Sequence, residues 1–179
     1  MKIMLETPRL ILREMNEKDV DALWELDSDP EVHRYLGNKP VQSKEEIKKQ
    51  IEGSQRQYTE NGIGRWAAIE KESGNFIGWT GLKLVKNETN KHIHYYDLGY
   101  RFIRKYWGKG YAFETAAASV KHAFVTMQLK EIYAMADIRN IASNKVLQKS
   151  GLKLIEQFDF NGVDHNWYHL LREEWRKKA

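Results

Sequence analysis

The stretch Arg104-Lys105-Tyr106-Trp107-Gly108-Lys109-Gly110-Tyr111-Ala112 divides two segments of different periodicity. Before it, His92 to Ile103 places Tyr96, Leu98, Tyr100 and Phe102 at alternate positions, which reads as a strand. After it, Tyr111 to Met127 places Ala112, Ala116, Val120, Ala123, Phe124 and Met127 on one stripe, which reads as a helix. Glycines at 108 and 110 let the backbone turn sharply and approach a ligand with no Cβ in the way. A helix fed by such a turn aims its unpaired N–H groups at the loop, a ready anion site. Arg104, Lys105 and Lys109 add positive charge, so the segment reads as a pyrophosphate cradle. No Gly-Lys-Ser/Thr follows, as a nucleoside-triphosphate loop requires. Phe113 stands where a dinucleotide fingerprint has its third glycine. The cofactor expected is therefore phosphate-bearing, but neither ATP nor NAD.

The rest of the chain supplies a mixed sheet around this unit. Arg9 to Arg13 reads as a strand, and Asn16 caps a helix with Val20, Leu23 and Trp24 on one face. Ser43-Lys44-Glu45-Glu46 is a capping box opening a second helix that ends near Asn61-Gly62. Arg65 to Glu70 and Phe76 to Val85 form a hairpin, followed by the strand His92 to Ile103. Glu131 to Asp137 is a strand, Asn140 caps a short helix ending before Gly151, and Leu152 to Phe160 and Val163 to Leu171 flank the hairpin turn Asn161-Gly162. The helix after Gly110 joins two parallel strands by a right-handed crossover. The fold class is α/β (α+β), with a mostly antiparallel sheet of about seven strands, about four helices and one parallel pair.

At 179 residues, with no linker or repeat, residues 1–179 read as one domain. A net charge of +4 suits an anionic ligand, but 29 basic against 25 acidic residues make a mixed surface, so a nucleic-acid partner ranks far behind. The basic run Arg176-Lys177-Lys178 reads as a solvated end. The absence of cysteine excludes disulfides, thiolate metal sites and a cysteine nucleophile. No metal is expected. Residues Met1 to Glu6 lack a signal-peptide core, and no apolar run is long enough to span a membrane. A cytoplasmic location with no membrane partner follows as the expectation.

Asp97 interrupts the aromatic strand, and a carboxylate there is either a general base or the partner of Arg101 or another cation. His94 and His165 are rival bases. Trp24, Tyr35, Trp66, Trp79 and Trp167 read as core first and as the rim of a cleft second.

Three stretches carry a resemblance. They are Thr7-Pro8-Arg9-Leu10-Ile11-Leu12-Arg13, Trp107-Gly108-Lys109-Gly110-Tyr111-Ala112-x-Glu114, and Asn140-x-x-Ser143-Asn144-x-x-Leu147-x-Lys149-x-Gly151-Leu152. With the loop Lys105-x-x-Gly-x-Gly110 and the element order, the chain resembles the GNAT N-acetyltransferase superfamily and its ribosomal-protein N-terminal acetyltransferase (RimJ/RimL) branch. The resemblance implies acetyl-CoA as donor, a primary amine as acceptor, and a parallel strand pair splayed around the pantetheine arm. It implies that backbone N–H groups of Gly108, Lys109, Gly110, Tyr111 and Ala112 hold the pyrophosphate, that Phe102, Ile103 and Arg104 line the pantetheine, and that Lys105 stands at the first position of the loop motif. It implies that Asn140, Asn144 and Lys149 approach the cofactor from the next helix. Relatives carry glutamate at the place of Asp97 and, in many cases, a tyrosine acid at the place of Leu147. Leucine cannot serve, which leaves Ser143 either as the acid candidate or, three residues after the Asn140 cap, as a residue that stabilises the helix start. Relatives are often homodimers, and their acceptors include protein N-termini and small amines. The competing readings are an acetyl-CoA-binding module without catalysis and, third, a ribosome- or nucleic-acid-binding protein.

Overall fold

The alternating apolar positions meet in one eight-stranded sheet. The computed structural model describes residues 2–177, so Met1 and the Lys178 end of the basic tail lie outside the described residues. The strands are β1 (Ile3–Glu6), β2 (Leu10–Arg13), β3 (Trp66–Glu70), β4 (Phe76–Val85), β5 (Tyr95–Phe102), β6 (Glu131–Asp137), β7 (Lys153–Phe160) and β8 (Val163–Leu171). The helices are α1 (Val20–Asp27), α2 (Pro30–His33), α3 (Lys44–Asn61), α4 (Tyr111–Lys121), α5 (Ile141–Lys149) and α6 (Arg172–Arg176). The spatial order is β1-β2-β3-β4-β5-β6-β8-β7. Among the described residues only β5 and β6 run parallel, and every other neighbouring pair is antiparallel.

The expected architecture is present, with three additional elements: β1, α2 and α6. Each spans only four or five residues, too few to display a period. The strand expected from His92 begins instead at Tyr95, because Asn90, Lys91 and His94 all adopt positive φ. The helix expected to Met127 keeps α-geometry to Lys121 and continues as one π-helical turn, His122–Thr126.

The local signals act as their chemistry dictates. Ser43 Oγ accepts from the Glu46 N–H at 3.3 Å, and Gly62 ends α3 at φ 69°. Asn161 and Gly162 take φ of 54° and 82°, the paired left-handed turn that matches the twist of β7 and β8. Leu10, Leu12, Ile47, Ile51, Trp66, Leu98, Val120, Phe124 and Tyr168 share the main core. Tyr95, Tyr133 and Trp167 form a second, aromatic cluster.

Where β2 leads toward α1, Arg13 forks onto Asp19 through bonds of 2.7 and 2.5 Å, and both residues are buried. Asp19 also accepts the Asn16 N–H at 2.9 Å. Asp19→Ala strands a buried guanidinium and should lower stability by about 3–5 kcal/mol. Urea unfolding followed by tryptophan fluorescence measures this, and a loss under ~1 kcal/mol would show the pair to be dispensable.

Candidate functional site

Strands β5 and β6 share one ladder position, Asp97 opposite Tyr133. Beyond it they continue to Phe102 and Asp137 without pairing, so the sheet opens toward their C-terminal ends. Helix α4 starts beyond the end of β5, and α5 starts after β6.

The glycine loop lies at the wide end of this opening. A 3-10 turn, Arg104–Tyr106, leads to Gly108 at φ 73° and Gly110 at φ 83°. Among the described residues no side chain caps α4. Leaving aside its two chain neighbours, a Cβ built on Gly108 would meet no atom of the described residues within 4 Å, so open space fronts the loop. An uncapped helix start, two left-handed glycines and free space in front fit a pyrophosphate.

The cations expected around the loop divide into two groups. Arg104 pairs with Asp29 at 3.2 Å, and Lys105 pairs with Glu25 at 2.8 Å. The hydrogen bond from Lys105 to Glu25 raises the lysine's pKa. Both therefore bind the chain to α1 and the start of α2. Lys109 sits 5.2 Å over the Tyr106 ring and has no carboxylate partner among the described residues. Tyr111 is buried, with its hydroxyl on Glu70, and Ala112 is half-buried.

Phe102 and Ile103 bury their side chains in the core, so only their backbone can reach a cofactor. Part of that backbone is already engaged. The Ile103 N–H donates to Ile77 at 3.0 Å, and the Phe102 carbonyl accepts from Trp107 Nε1 at 2.6 Å.

On α5, Asn140 caps the helix by accepting the Ser143 N–H at 3.1 Å. Ser143 Oγ lies 3.1 Å from the Tyr100 hydroxyl, which also reaches the Ser143 carbonyl at 3.0 Å. This contact spans from β5 to α5. Burial pushes the Tyr100 phenol well above its ordinary value, against the pull of its bond to Ser143. From the sequence alone, Tyr100 is one of the alternating apolar positions of the strand. The available signal was a hydroxyl on the core-facing side of a strand, where phenylalanine would have sufficed. Asn144 is fully used within the protein. Its amide donates to Asp137 and Asn140 carbonyls at 2.9 and 2.7 Å and accepts from Asn166 and Tyr168 at 2.7 and 2.6 Å. Lys149 is exposed on the last turn, and Leu147 is buried in the core.

Asp97 points to the opposite face of β5 from Tyr100. Its partner is Arg65, not Arg101, which pairs with Asp27 at 2.5 Å. Arg101 sits across from Trp79 on β4 and stacks on that ring, which carries its head toward α1. Arg65 donates to Asp97 Oδ2, to the Asp97 carbonyl at 2.6 Å and to the Gly81 carbonyl. Burial lowers the Arg65 pKa, and Asp97 opposes the shift. Among the described residues Asp97 Oδ1 has no hydrogen-bond partner. Of the rival bases, His94 is exposed beside β5, and His165 lies among Phe158 and Phe160 on the final hairpin.

A parallel pair that parts around a glycine loop and a helix start is the arrangement of an acetyltransferase fold. The chain belongs to the GNAT acetyltransferase family: the family's acetyltransferase (GNAT) domain matches residues 9–153. It is 31% identical over 177 residues to the uncharacterized N-acetyltransferase p20 of Bacillus licheniformis, covering 96% of this chain and 97% of the relative. It is 30% identical over 184 residues to the FsC-acetyl coenzyme A-N(2)-transacetylase of Aspergillus fumigatus, covering 96% and 77%. A GNAT-family acetyltransferase from Bacillus anthracis superposes with a TM-score of 0.78 at 26% identity, covering 94% of this chain and 98% of that one.

Gly110→Val places a β-branched residue at φ 83°, where L side chains are strained, and crowds the loop mouth. CoA affinity, measured by calorimetric titration, should fall ~10-fold or more while the far-ultraviolet spectrum stays native. Undiminished CoA binding by this variant would contradict the cradle.

Proposed function

We propose that this protein is an acetyl-CoA-dependent N-acetyltransferase. It acts on a primary amine, a protein N-terminus or a small amine, by direct attack in a ternary complex. We place it in the RimJ/RimL branch, as a one-domain enzyme of the cytoplasm that uses no metal. The observation that carries the reading is the parting of β5 from β6 with the glycine loop and the uncapped start of α4 at its wide end. The Aspergillus relative, whose name specifies acetyl-coenzyme A and N-acetyl transfer, supports the choice of donor.

In this reading Gly108 to Ala112 hold the pyrophosphate through backbone N–H groups, with Lys109 adding charge. The bound donor supplies an acetyl group activated as a thioester. Tyr100 and Ser143 act as one unit on the inner flank of the cleft. Burial keeps the phenol protonated, so it hydrogen-bonds Ser143 and orients that hydroxyl, whose O–H then donates to the thioester sulfur as the C–S bond breaks and the amine nitrogen takes the acetyl group. On the other face, Asp97 accepts a proton from the amine, directly or through water. Arg65 fixes Oδ2 and leaves Oδ1 for that purpose. Asn140 and Asn144 are positioning residues, holding α5 against β6 and β8.

Release of CoA thiol from acetyl-CoA across a panel of amines and N-terminal peptides tests the activity. No release with any acceptor would overturn it, and tight CoA binding without release would favour the non-catalytic module. Asp97→Asn should slow turnover ~100-fold, the range for losing a general base, with CoA affinity nearly unchanged. The residual rate should rise with pH as more free amine appears. A wild-type rate and pH profile would leave Asp97 as the ion-pair partner of Arg65.

Ser143→Ala and Tyr100→Phe should each lower kcat with little change in CoA affinity. The double variant should be no slower than the slower single variant, because both remove the same relay. Additive losses would separate the two residues, and a lowered melting temperature with normal kcat would reduce them to helix support.

A further inference from the structure

The Thr7-Pro8-Arg9 turn between β1 and β2 is far from the glycine loop in sequence and in contact with it in space. Arg9 Nη1 donates to the Lys109 carbonyl at 2.9 Å. Arg9 Nε and its backbone N–H both hold Glu114, in the first turn of α4, at 2.6 and 3.0 Å. Thr7 Oγ1 donates to the same carboxylate at 2.6 Å. The guanidinium lies 4.3 Å over the ring of Tyr111, whose hydroxyl is tied to Glu70. Nη2 makes no hydrogen bond among the described residues, and it lies 3.5 Å from where a Cβ on Gly110 would stand. The side chain is about half exposed, so this free end is accessible at the loop mouth.

We infer that Arg9 completes the cofactor's pyrophosphate site, locking the glycine loop through the Lys109 carbonyl, neutralising Glu114 and presenting Nη2 to the bound anion. The inference rests on the acetyl-CoA reading of the cleft. Three features support it. An arginine fork can hold a carbonyl, a carboxylate and a phosphate oxygen at once, which an ammonium cannot do with the same geometry. Arg104 and Lys105 face the carboxylates of Asp29 and Glu25, so they cannot supply this charge without breaking those pairs. Glu114 would repel an anion at the start of α4 if Arg9 did not cover it. Burial pushes the Glu114 carboxyl up, but the bonds from Thr7 and Arg9 outweigh burial and keep it ionised.

The test is titration calorimetry with CoA on the full chain as wild type, Arg9→Ala and Arg9→Lys, with KM and kcat for acetyl-CoA. Arg9→Ala should bind CoA ~10- to 100-fold more weakly, the range for one charge-assisted hydrogen bond and its geometry. Its KM should rise far more than its kcat falls. Arg9→Lys should lie between the two. Adding Glu114→Gln to Arg9→Ala should recover part of the affinity, because it removes the uncovered carboxylate. The deficit should vanish with S-acetylpantetheine, a donor that lacks the pyrophosphate. CoA affinity in Arg9→Ala equal to wild type would overturn the inference alone. So would an equal loss with S-acetylpantetheine, which would mark Arg9 as general support for the fold. If Arg9→Ala fails to fold, Arg9→Lys carries the same comparison, and unchanged CoA affinity in it overturns the role of the fork. A wild-type chain that does not bind CoA would overturn the acetyltransferase reading, and this inference with it.

Discussion

The single ladder position shared by β5 and β6 is the constraint on which the rest depends. Two strands that part must each be held straight by something else. Strand β5 pairs with β4 at eight positions, from Tyr95 to Phe102. Strand β6 pairs with β8 along its whole length, Glu131 to Asp137. Each lip of the opening is therefore stiffened by its own antiparallel neighbour, and the gap stays open without help from a ligand. The backbone groups along the lips lack ladder partners, so water or a bound molecule must satisfy them. Trp107 and Ile77 take up part of this demand at Phe102 and Ile103, which limits which backbone groups remain for a cofactor.

The parallel pair also requires a crossover, and the crossover helix is α4. Its start is left uncapped beside two left-handed glycines. A carboxylate in the first turn, Glu114, suits the helix dipole but opposes an incoming anion. The turn before β2 resolves this conflict by covering Glu114 with Thr7 and Arg9. The chain carries a net charge of +4, yet its charges near the cleft are largely paired across elements. Arg65 with Asp97 ties the entry to β3 to β5, Arg101 with Asp27 ties β5 to α1, and Arg104 with Asp29 and Lys105 with Glu25 tie the turn before the glycine loop to the start of α2 and to α1. Anion-binding capacity is thereby concentrated at the backbone of the loop, Lys109 and the free end of Arg9.

Elements long enough to show a period, and turns whose chemistry is local, can be read from the amino-acid order alone. The hairpin turn at Asn161-Gly162, the Ser43 cap, the strand Phe76–Val85 and the glycine loop before α4 were all legible, because neighbouring residues alone decide them. The family resemblance was legible for the same reason, since its motifs are contiguous. Short elements such as β1, α2 and α6 were not, because their stability comes from what they pack against.

Side-chain partners across the molecule come from the folded arrangement. Nothing near Asp97 in sequence points to Arg65, which stands just before β3 and, of the partners open to Asp97, is the one that meets it, while Arg101 turns to Asp27. Nothing marks Tyr100 as the neighbour of Ser143, 43 residues away, or Arg9 as the clamp on Glu114, 105 residues away. Asn144, singled out beside Ser143 as a cofactor contact, has its amide filled by Asp137, Asn140, Asn166 and Tyr168. A period reports which face of an element is buried, and a motif reports what a backbone can do locally. Which charge meets which, across strands that pair out of sequence order, depends on the closed fold.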